Sequence, residues 1–380
     1  MGKVIDYIKW RGDLSFEIDP LNEIDIALLT QLPLLNIQET YKNNELDKGV
    51  SIKDLVNSVY SIYKNNQIGL IIPGHISEVL YEMANSIRYK DLIVSDFVKE
   101  LDTENIVQFC ALTVHIDKHL SCVIYSATDD SVVGWKENFM MLYEEEIHAQ
   151  KKAKEYFEEI GRKYSYMKYI IAGHSKGGNL STFASVNVNK KLRHKIQNVY
   201  CFDSPGFLTS IYSQPGYYDI EDRIKLIIPQ CSVVGMLFNH RENRVIVKAN
   251  SKGLLQHDLT TWEVKYNKFI ETDKLDSEAV HVDNVIKGLI SQYSIEEQIR
   301  LVDSFFAILA CEDNKYLINL KTKKKALLQA YLKTNKEDKK ILFTIFKTLI
   351  KDNIIRNGLI SNFLDFDKVN KENIKKVNEI

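Results

Sequence analysis

The chain has 380 residues, of which 45% are hydrophobic and 27% charged, and a formal net charge of -1. That is ample length for a buried core, and it fits one large α/β unit with a smaller appendage. Near-neutral charge excludes a whole-molecule nucleic-acid signature, and no apolar run reaches the roughly 18 residues of a transmembrane helix.

The N-terminal stretch MGKVIDYIKWRGDLSF scatters charges through its length and has no apolar h-region, so it does not read as a secretory signal. Position 6 is Asp6 rather than Ser or Thr, which argues against myristoylation. The five cysteines, Cys110, Cys122, Cys201, Cys231 and Cys311, are odd in number and form no C-x-x-C. They read as reduced, mostly buried thiols of a cytoplasmic protein, with no disulfide frame, metal site or cofactor.

Residues 1–48 mix acidic and apolar positions, punctuated by Pro20 and Pro33. Helical spacing predicts a helix from Ser51 to Lys64 and another from His75 to Ile87, after the Pro73-Gly74 break. Two β-type runs follow, Ile106 to Ile116 and His119 to Ser126, separated by Asp117-Lys118, which predicts a hairpin. His115 and His119 fall on its opposite arms and do not suit a metal pair without further ligands. From Trp135 to Lys163 the chain favours one long charged helix. Its Glu144-Glu145-Glu146 and Lys151, Lys152 and Lys154 read as a solvated face, with His148 inert in it.

Tyr169 to Leu180 reads YIIAGHSKGGNL: a β-type run, a turn, then the start of a helix running toward Lys191. This is the G-x-S-x-G nucleophile elbow in its strand–turn–helix setting. Ser175 needs a tight, strained turn so that its hydroxyl projects above a sheet. Side chains at Gly173 and Gly177 would collide there. The helix beginning after Ser175 offers unpaired backbone N–H groups to a developing oxyanion, Lys176 first.

Asn198 to Phe202 is a further strand, ending in Asp203-Ser204-Pro205-Gly206. Ile224 to Ile228 is another, closed by Pro229, and Arg244 to Ala249 leads through a glycine-containing loop to His257. Strands alternating with helical stretches predict parallel β-α-β units. From Ser277 onward the pattern is helical, with clear spacing over Ile295 to Leu309 and Ile341 to Ile355. Residues 314–380 hold 16 basic and 7 acidic residues, a net of +9 against -10 for the rest. With no aromatic platform beside the charge, this segment reads as a lysine-rich helical appendage rather than a nucleic-acid arm. The expected organisation is a hydrolase domain over 1–312 and the appendage over 313–380.

A serine nucleophile needs a base, and the base an orienting acid, in the chain order Ser, Asp or Glu, His. Four histidines follow Ser175. His194 falls in the basic end of the helix after the elbow, and His281 in the helical C-terminal part. His240, in FNHREN, reads as a turn, whereas His257 follows a strand and a loop. The strand end at Pro229-Gln230-Cys231-Ser232 has no acid, so Asp203 is the expected partner, ahead of Asp219, Glu221 and Asp258. The loop after the Cys122 to Ser126 strand supplies the second oxyanion donor, at Thr128.

These residues carry a resemblance. WRGD near Trp10, Thr128-Asp129 to Trp135-Lys136-Glu137, GHSKGGN, FDSPGF at Phe202 to Phe207, SVVGMLF at Ser232 to Phe238 and QHD-x-x-x-W at Gln256 to Trp262 resemble the class 3 lipase branch of the α/β hydrolases. More closely, they resemble a bacterial family of lipase-like α/β-hydrolase proteins, over about residues 1–310. The resemblance implies an α/β-hydrolase fold with a mainly parallel central sheet, Ser175 as nucleophile, His257 as base and Asp203 in the place of an L-D-P aspartate.

The expectation is a cytoplasmic serine esterase, lipase-like, acting on a small acyl ester or lipid through a Ser175-His257-Asp203 triad. Lys176 and Thr128 form its oxyanion hole. It needs no metal or cofactor and no nucleic acid, and it has no transmembrane segment, peripheral membrane contact being compatible. A thioesterase or amidase on the same triad, or a non-catalytic scaffold of the same fold, are the alternatives.

Overall fold

The computed structural model describes residues 2–41, 46–63 and 76–351. The strands are β1 (Gly2–Lys3), β2 (Val50–Ser51), β3 (Ile93–Asp102), β4 (Val107–His115), β5 (Leu120–Tyr125), β6 (Lys168–His174), β7 (Ile196–Phe202), β8 (Ile224–Pro229), β9 (Arg244–Val247), β10 (Glu263–Lys265) and β11 (Lys268–Phe269). The helices are α1 (Val4–Arg11), α2 (Glu23–Leu29), α3 (Ile52–Tyr63), α4 (Ile76–Asn85), α5 (Val132–Met140), α6 (His148–Lys163), α7 (Lys176–Asn187), α8 (Lys190–Arg193) and α9 (Pro215–Tyr218). α10 (Ser277–Ile290), α11 (Ile295–Leu309), α12 (Lys324–Lys333) and α13 (Lys336–Lys351) complete the described chain.

Strands β2 to β9 form one eight-stranded sheet in sequence order, antiparallel from β2 to β5 and parallel from β5 to β9. Period-two alternation sends buried side chains to both faces. Cys110, Leu112, Ile124, Ile170, Ala172 and Phe202 join the core shared with α1 to α4. Phe109, Ala111, Tyr125, Ile171, Val199 and Cys201 join the core shared with α6 and α7. The result is a mixed α/β architecture with a mostly parallel central sheet and helices on both sides. A separate three-stranded sheet pairs β1 with β10 and β10 with β11.

Asp25 on α2 fastens the first of these layers. It accepts hydrogen bonds from Arg88 Nε and Nη2 at 2.7 and 2.6 Å, from Tyr7 Oη at 3.0 Å and from Tyr89 Oη at 2.5 Å, all in the interior. The arginine of the WRGD stretch, Arg11, pairs with Asp19 at 2.7 Å.

The expected hairpin is β4–β5. The Ser51–Lys64 helix is α3, whose last expected residue lies outside the described residues, as does His75 ahead of α4. α13 begins five residues before Ile341, and residues 352–355 of the expected helix again lie outside the described residues.

Two helical expectations need correction. The single helix from Trp135 to Lys163 is two, α5 and α6. α5 starts earlier because Ser131 Oγ accepts the Gly134 N–H at 3.0 Å, and α6 has its own start, where Gln150 Oε1 accepts the Ile147 N–H at 2.9 Å. The elbow helix stops at Asn187, and Asn189 caps α8 by accepting the Leu192 N–H at 3.0 Å.

Of the C-terminal helices, α11 packs onto α5, and α12 and α13 pack onto α11. Phe139 meets Phe305 and Phe306 with ring centroids 6.4 and 5.4 Å apart, and Lys136 Nζ lies 2.7 Å from Asp303 Oδ1. Beyond α11 the chain runs back along the loop that follows β5. Val132 N–H donates to the Lys315 carbonyl at 2.8 Å, Leu317 N–H to the Asp130 carbonyl at 2.8 Å, and Ile318 N–H to Asp130 Oδ2 at 2.9 Å. Leu317 and Leu320 share a small core with Val132, Val302 and Phe306. A chain ending at Lys323 keeps this strap and one ending at Asp313 loses it. At about 1 kcal/mol per hydrogen bond and about 2 kcal/mol per buried leucine, the shorter chain should melt at clearly lower temperature. Equal melting temperatures would show that the strap carries no stability.

Candidate active site

Ser175 stands at the junction of β6 and α7 with φ 56 and ψ -128, in the left-handed half of backbone space that L-residues rarely occupy. The two motif glycines make the turn possible. A Cβ on Gly173 would lie 2.1 Å from the Gly177 carbonyl carbon, and one on Gly177 would lie 2.2 Å from the Tyr125 carbonyl oxygen. The turn is pinned by Ser175 N–H donating to the Phe202 carbonyl at 2.9 Å and Gly178 N–H to the Ser175 carbonyl at 3.0 Å.

Asp203 follows the last residue of β7, is fully buried, and also has positive φ, at 42. Its Oδ2 lies 2.6 Å from His257 Nδ1. Its Oδ1 accepts the Ser232 hydroxyl at 2.5 Å and the Gly235 N–H at 3.1 Å. The acid-free strand end after β8 therefore serves Asp203 through a serine. His257 ends a 3-10 turn, Gly253–His257, and its side chain is 26% exposed. With Nδ1 facing a carboxylate, Nδ1 carries the hydrogen and Nε2 is left as the basic lone pair. Gln256 anchors the turn. Its side chain accepts the Cys231 N–H at 2.8 Å and donates to the Ser251 carbonyl at 3.0 Å, while its carbonyl accepts Trp262 Nε1–H at 2.8 Å.

No hydrogen bond joins the Ser175 hydroxyl to His257 among the described residues; the contact between the elbow strand and the His257 turn is made by His174. That ring lies 4.5 Å from the His257 ring, centroid to centroid, and its Nε2 is 2.8 Å from the His257 carbonyl. Lys176 is the first residue of α7, and Thr128 lies just past β5, paired to β6 as far as Tyr125–Gly173. Thr128 Oγ1 accepts Asn138 Nδ2–H at 2.7 Å.

The rival residues sit elsewhere. Asp219 pairs with Arg193 at 2.6 Å, Asp258 caps the next turn by accepting the Thr260 N–H at 3.0 Å, and His240 Nδ1 faces Glu242 at 3.7 Å. His115 is held between Ser95 Oγ and Ser121 Oγ, both at 2.9 Å. Among the described residues no group of three or more His, Cys, Asp or Glu is placed to hold a metal ion. Sequence reasoning assigned no role to Ser232, Gly235, Gln256 or His174. SVVG and QHD-x-x-x-W carried the first three only as a resemblance.

A family model described as Mbeg1-like matches residues 83–307. No curated protein matches the chain. Among solved structures the chain is similar to M37 lipase, at 13% identity and a TM-score of 0.35, over 56% of this chain and 69% of that one. It is also similar to the native propeptide complex of Rhizomucor miehei lipase, at 12% identity and a TM-score of 0.34, over 60% and 70% of the two chains.

His174 gives the site a pH signature. A carbonyl can only accept, so Nε2 carries the hydrogen, and the buried Nδ1 has no hydrogen-bond partner. Burial, and then the neighbouring His257, push His174 down to about 3 from 6.5. Between these values the unfolded chain binds a proton that the folded chain does not. Stability should therefore fall as pH drops from 6.5 toward 3, by about 1.4 kcal/mol per pH unit from this group. Urea unfolding across that range should show the His174→Gln variant with a correspondingly shallower dependence. Parallel curves would mean that His174 titrates alike in both states.

Proposed function

The chain belongs to the Mbeg1-like family, and we propose that it is a serine hydrolase of the α/β-hydrolase fold that cleaves a carboxylic ester. Ser175 Oγ attacks the acyl carbon while His257 Nε2 takes its proton. Asp203 holds the Nδ1–H tautomer and stabilises the imidazolium. The oxyanion is met by the backbone N–H groups of Lys176 and Thr128. Collapse of the tetrahedral species expels the alcohol, which takes the proton from His257. Water, activated by the same histidine, then releases the acid and restores Ser175.

The observation that carries this reading is the 2.6 Å contact between His257 Nδ1 and Asp203 Oδ2, beside a serine held at positive φ. Ser232 and Gly235 add support, because they leave the carboxylate one direction in which to face the imidazole. The substrate in this proposal is a small acyl ester or lipid, met in the cytoplasm or at a membrane surface. No described helix is long and apolar enough to cross a membrane. In this proposal the division falls at 312/313, and the described part of the second segment, residues 313–351, is a helical appendage joined to the hydrolase unit by the strap at Lys315 to Ile318.

A fluorophosphonate probe should label the wild-type protein at Ser175, and Ser175→Ala should abolish the labelling. Asp203→Asn should lower kcat on p-nitrophenyl butyrate by up to about 10⁴-fold, because the wrong tautomer is held. Asp219→Asn and Asp258→Asn should cost far less. A folded wild type that does not label would overturn the reading.

A further inference from the structure

Lys176 has a second role to explain. Its side chain is 1% exposed and meets a fully buried glutamate, Glu137 of α5. The ammonium donates to Glu137 Oε2, to the Gln108 carbonyl at 2.8 Å and to Gln108 Oε1 at 3.2 Å, so its three hydrogens meet acceptors from two elements. Glu137 is equally committed: Oε2 also accepts the Gln108 N–H at 3.1 Å, and Oε1 accepts the Ala149 N–H at 2.8 Å, at the start of α6. The next residue of α5, Asn138, donates to Thr128 Oγ1 at 2.7 Å. Consecutive residues of one helix thus hold the side chains of the two residues whose backbone N–H groups face the oxyanion in the proposed mechanism.

We propose that Glu137 and Asn138 are positioning residues that together set the two oxyanion donors, Glu137 by fixing Lys176 and Asn138 by fixing Thr128. The inference rests on the hydrolase reading and adds to it a rigid spacer between the halves of the oxyanion hole. α5 suits that task. Its start is capped by Ser131, and its outer side is braced by Phe305, Phe306 and Asp303 of α11. An oxyanion hole works only where its donors are already in place. A misplacement of about 1 Å can cost about 10²-fold in rate. Among the described residues no hydrogen bond or ion pair joins Glu137 or Asn138 to His257 or Asp203, so loosening them should weaken oxyanion stabilisation and leave the base alone.

The test is the rate constant for phosphonylation of Ser175 by a fluorophosphonate, measured against pH on the full chain, with thermal unfolding alongside. Lys176→Met combined with Glu137→Gln removes both buried charges at once and avoids an unpaired one. That variant should label about 10²-fold more slowly on the high-pH plateau, and Asn138→Ala about 10-fold more slowly, with the midpoint of the pH profile unmoved. Thr128→Val, which deletes the other end of the Asn138 bond, should match Asn138→Ala and add nothing to it. Lys151→Ala, on the exposed side of α6 and paired with Glu146, should label at the wild-type rate. Folded variants that label at the wild-type plateau, or whose midpoint shifts, would overturn the inference while leaving the nucleophile in place. If the double variant does not fold, Asn138→Ala and Thr128→Val decide alone. A wild type that does not label overturns the hydrolase reading and this inference together.

Discussion

The close approach of Gly177 to the carbonyl of Tyr125 is the constraint on which the site depends. With 2.2 Å between a notional Cβ and that oxygen, only a hydrogen fits, and the elbow can sit directly against the end of β5. The approach brings the start of α7 beside the loop that carries Thr128, in a turn where Ser175 has positive φ. Such a conformation costs of order 1–3 kcal/mol and persists only where its surroundings over-determine it. Here they do. Ser175 is bonded to β7 through Phe202, and Lys176 is tied to α5. Asn179 is tied to α6 through Gln150 at 2.8 Å and to the loop after β7 through the Gly206 carbonyl at 2.7 Å.

Asp203 repeats the device at the next strand. It too has positive φ, and a side chain on Gly235 would lie 2.6 Å from its carboxylate, so the 232–236 turn can close over it. Two acceptor oxygens meet three donors, Ser232 Oγ–H, Gly235 N–H and His257 Nδ1–H. A buried carboxylate needs that degree of satisfaction. Because two donors are fixed in the turn after β8, the direction left for the histidine is fixed as well. The turn that carries His257 is held by Gln256, whose carbonyl accepts the indole N–H of the fully buried Trp262.

How much of this was legible in the sequence follows from the range of each interaction. The elbow was readable because its steric demand falls on five consecutive residues. Asp203 and His257 were readable because each follows a strand, and few histidines lie beyond Ser175. The partners of Asp203 lie 29 and 32 residues away, and those of Lys176 lie 39 and 68 away, distances over which no local pattern runs. β3 went unread for a different reason. Between Ser95 and Val98 its register slips, with Asp96 at φ 53, so period-two alternation is broken inside the strand. The break between α5 and α6 was hidden by propensity, since Met-Leu-Tyr-Glu-Glu-Glu favours a helix. Tertiary contacts decide it instead, with Glu137 in one helix receiving the Ala149 N–H at the start of the next.

Lys176 and Glu137 form an ion pair that is almost fully buried. Replacing a buried ion pair by apolar groups of similar volume is often neutral or stabilising, so stability alone does not account for the charges. Direction does. A leucine is held by contacts that are nearly indifferent to a few tenths of an ångström along the helix axis. An ammonium with its three hydrogens placed on Gln108 and Glu137 is not, because moving it strands a charge in the interior. Lys176 is also the residue that directly follows Ser175 at the start of α7. At that position, a side chain that resists small displacements translates into a backbone donor that resists them too. The same reasoning explains why the glutamate is shared with Gln108 of β4 and Ala149 of α6: one carboxylate ties the elbow, the sheet and two helices to a common point.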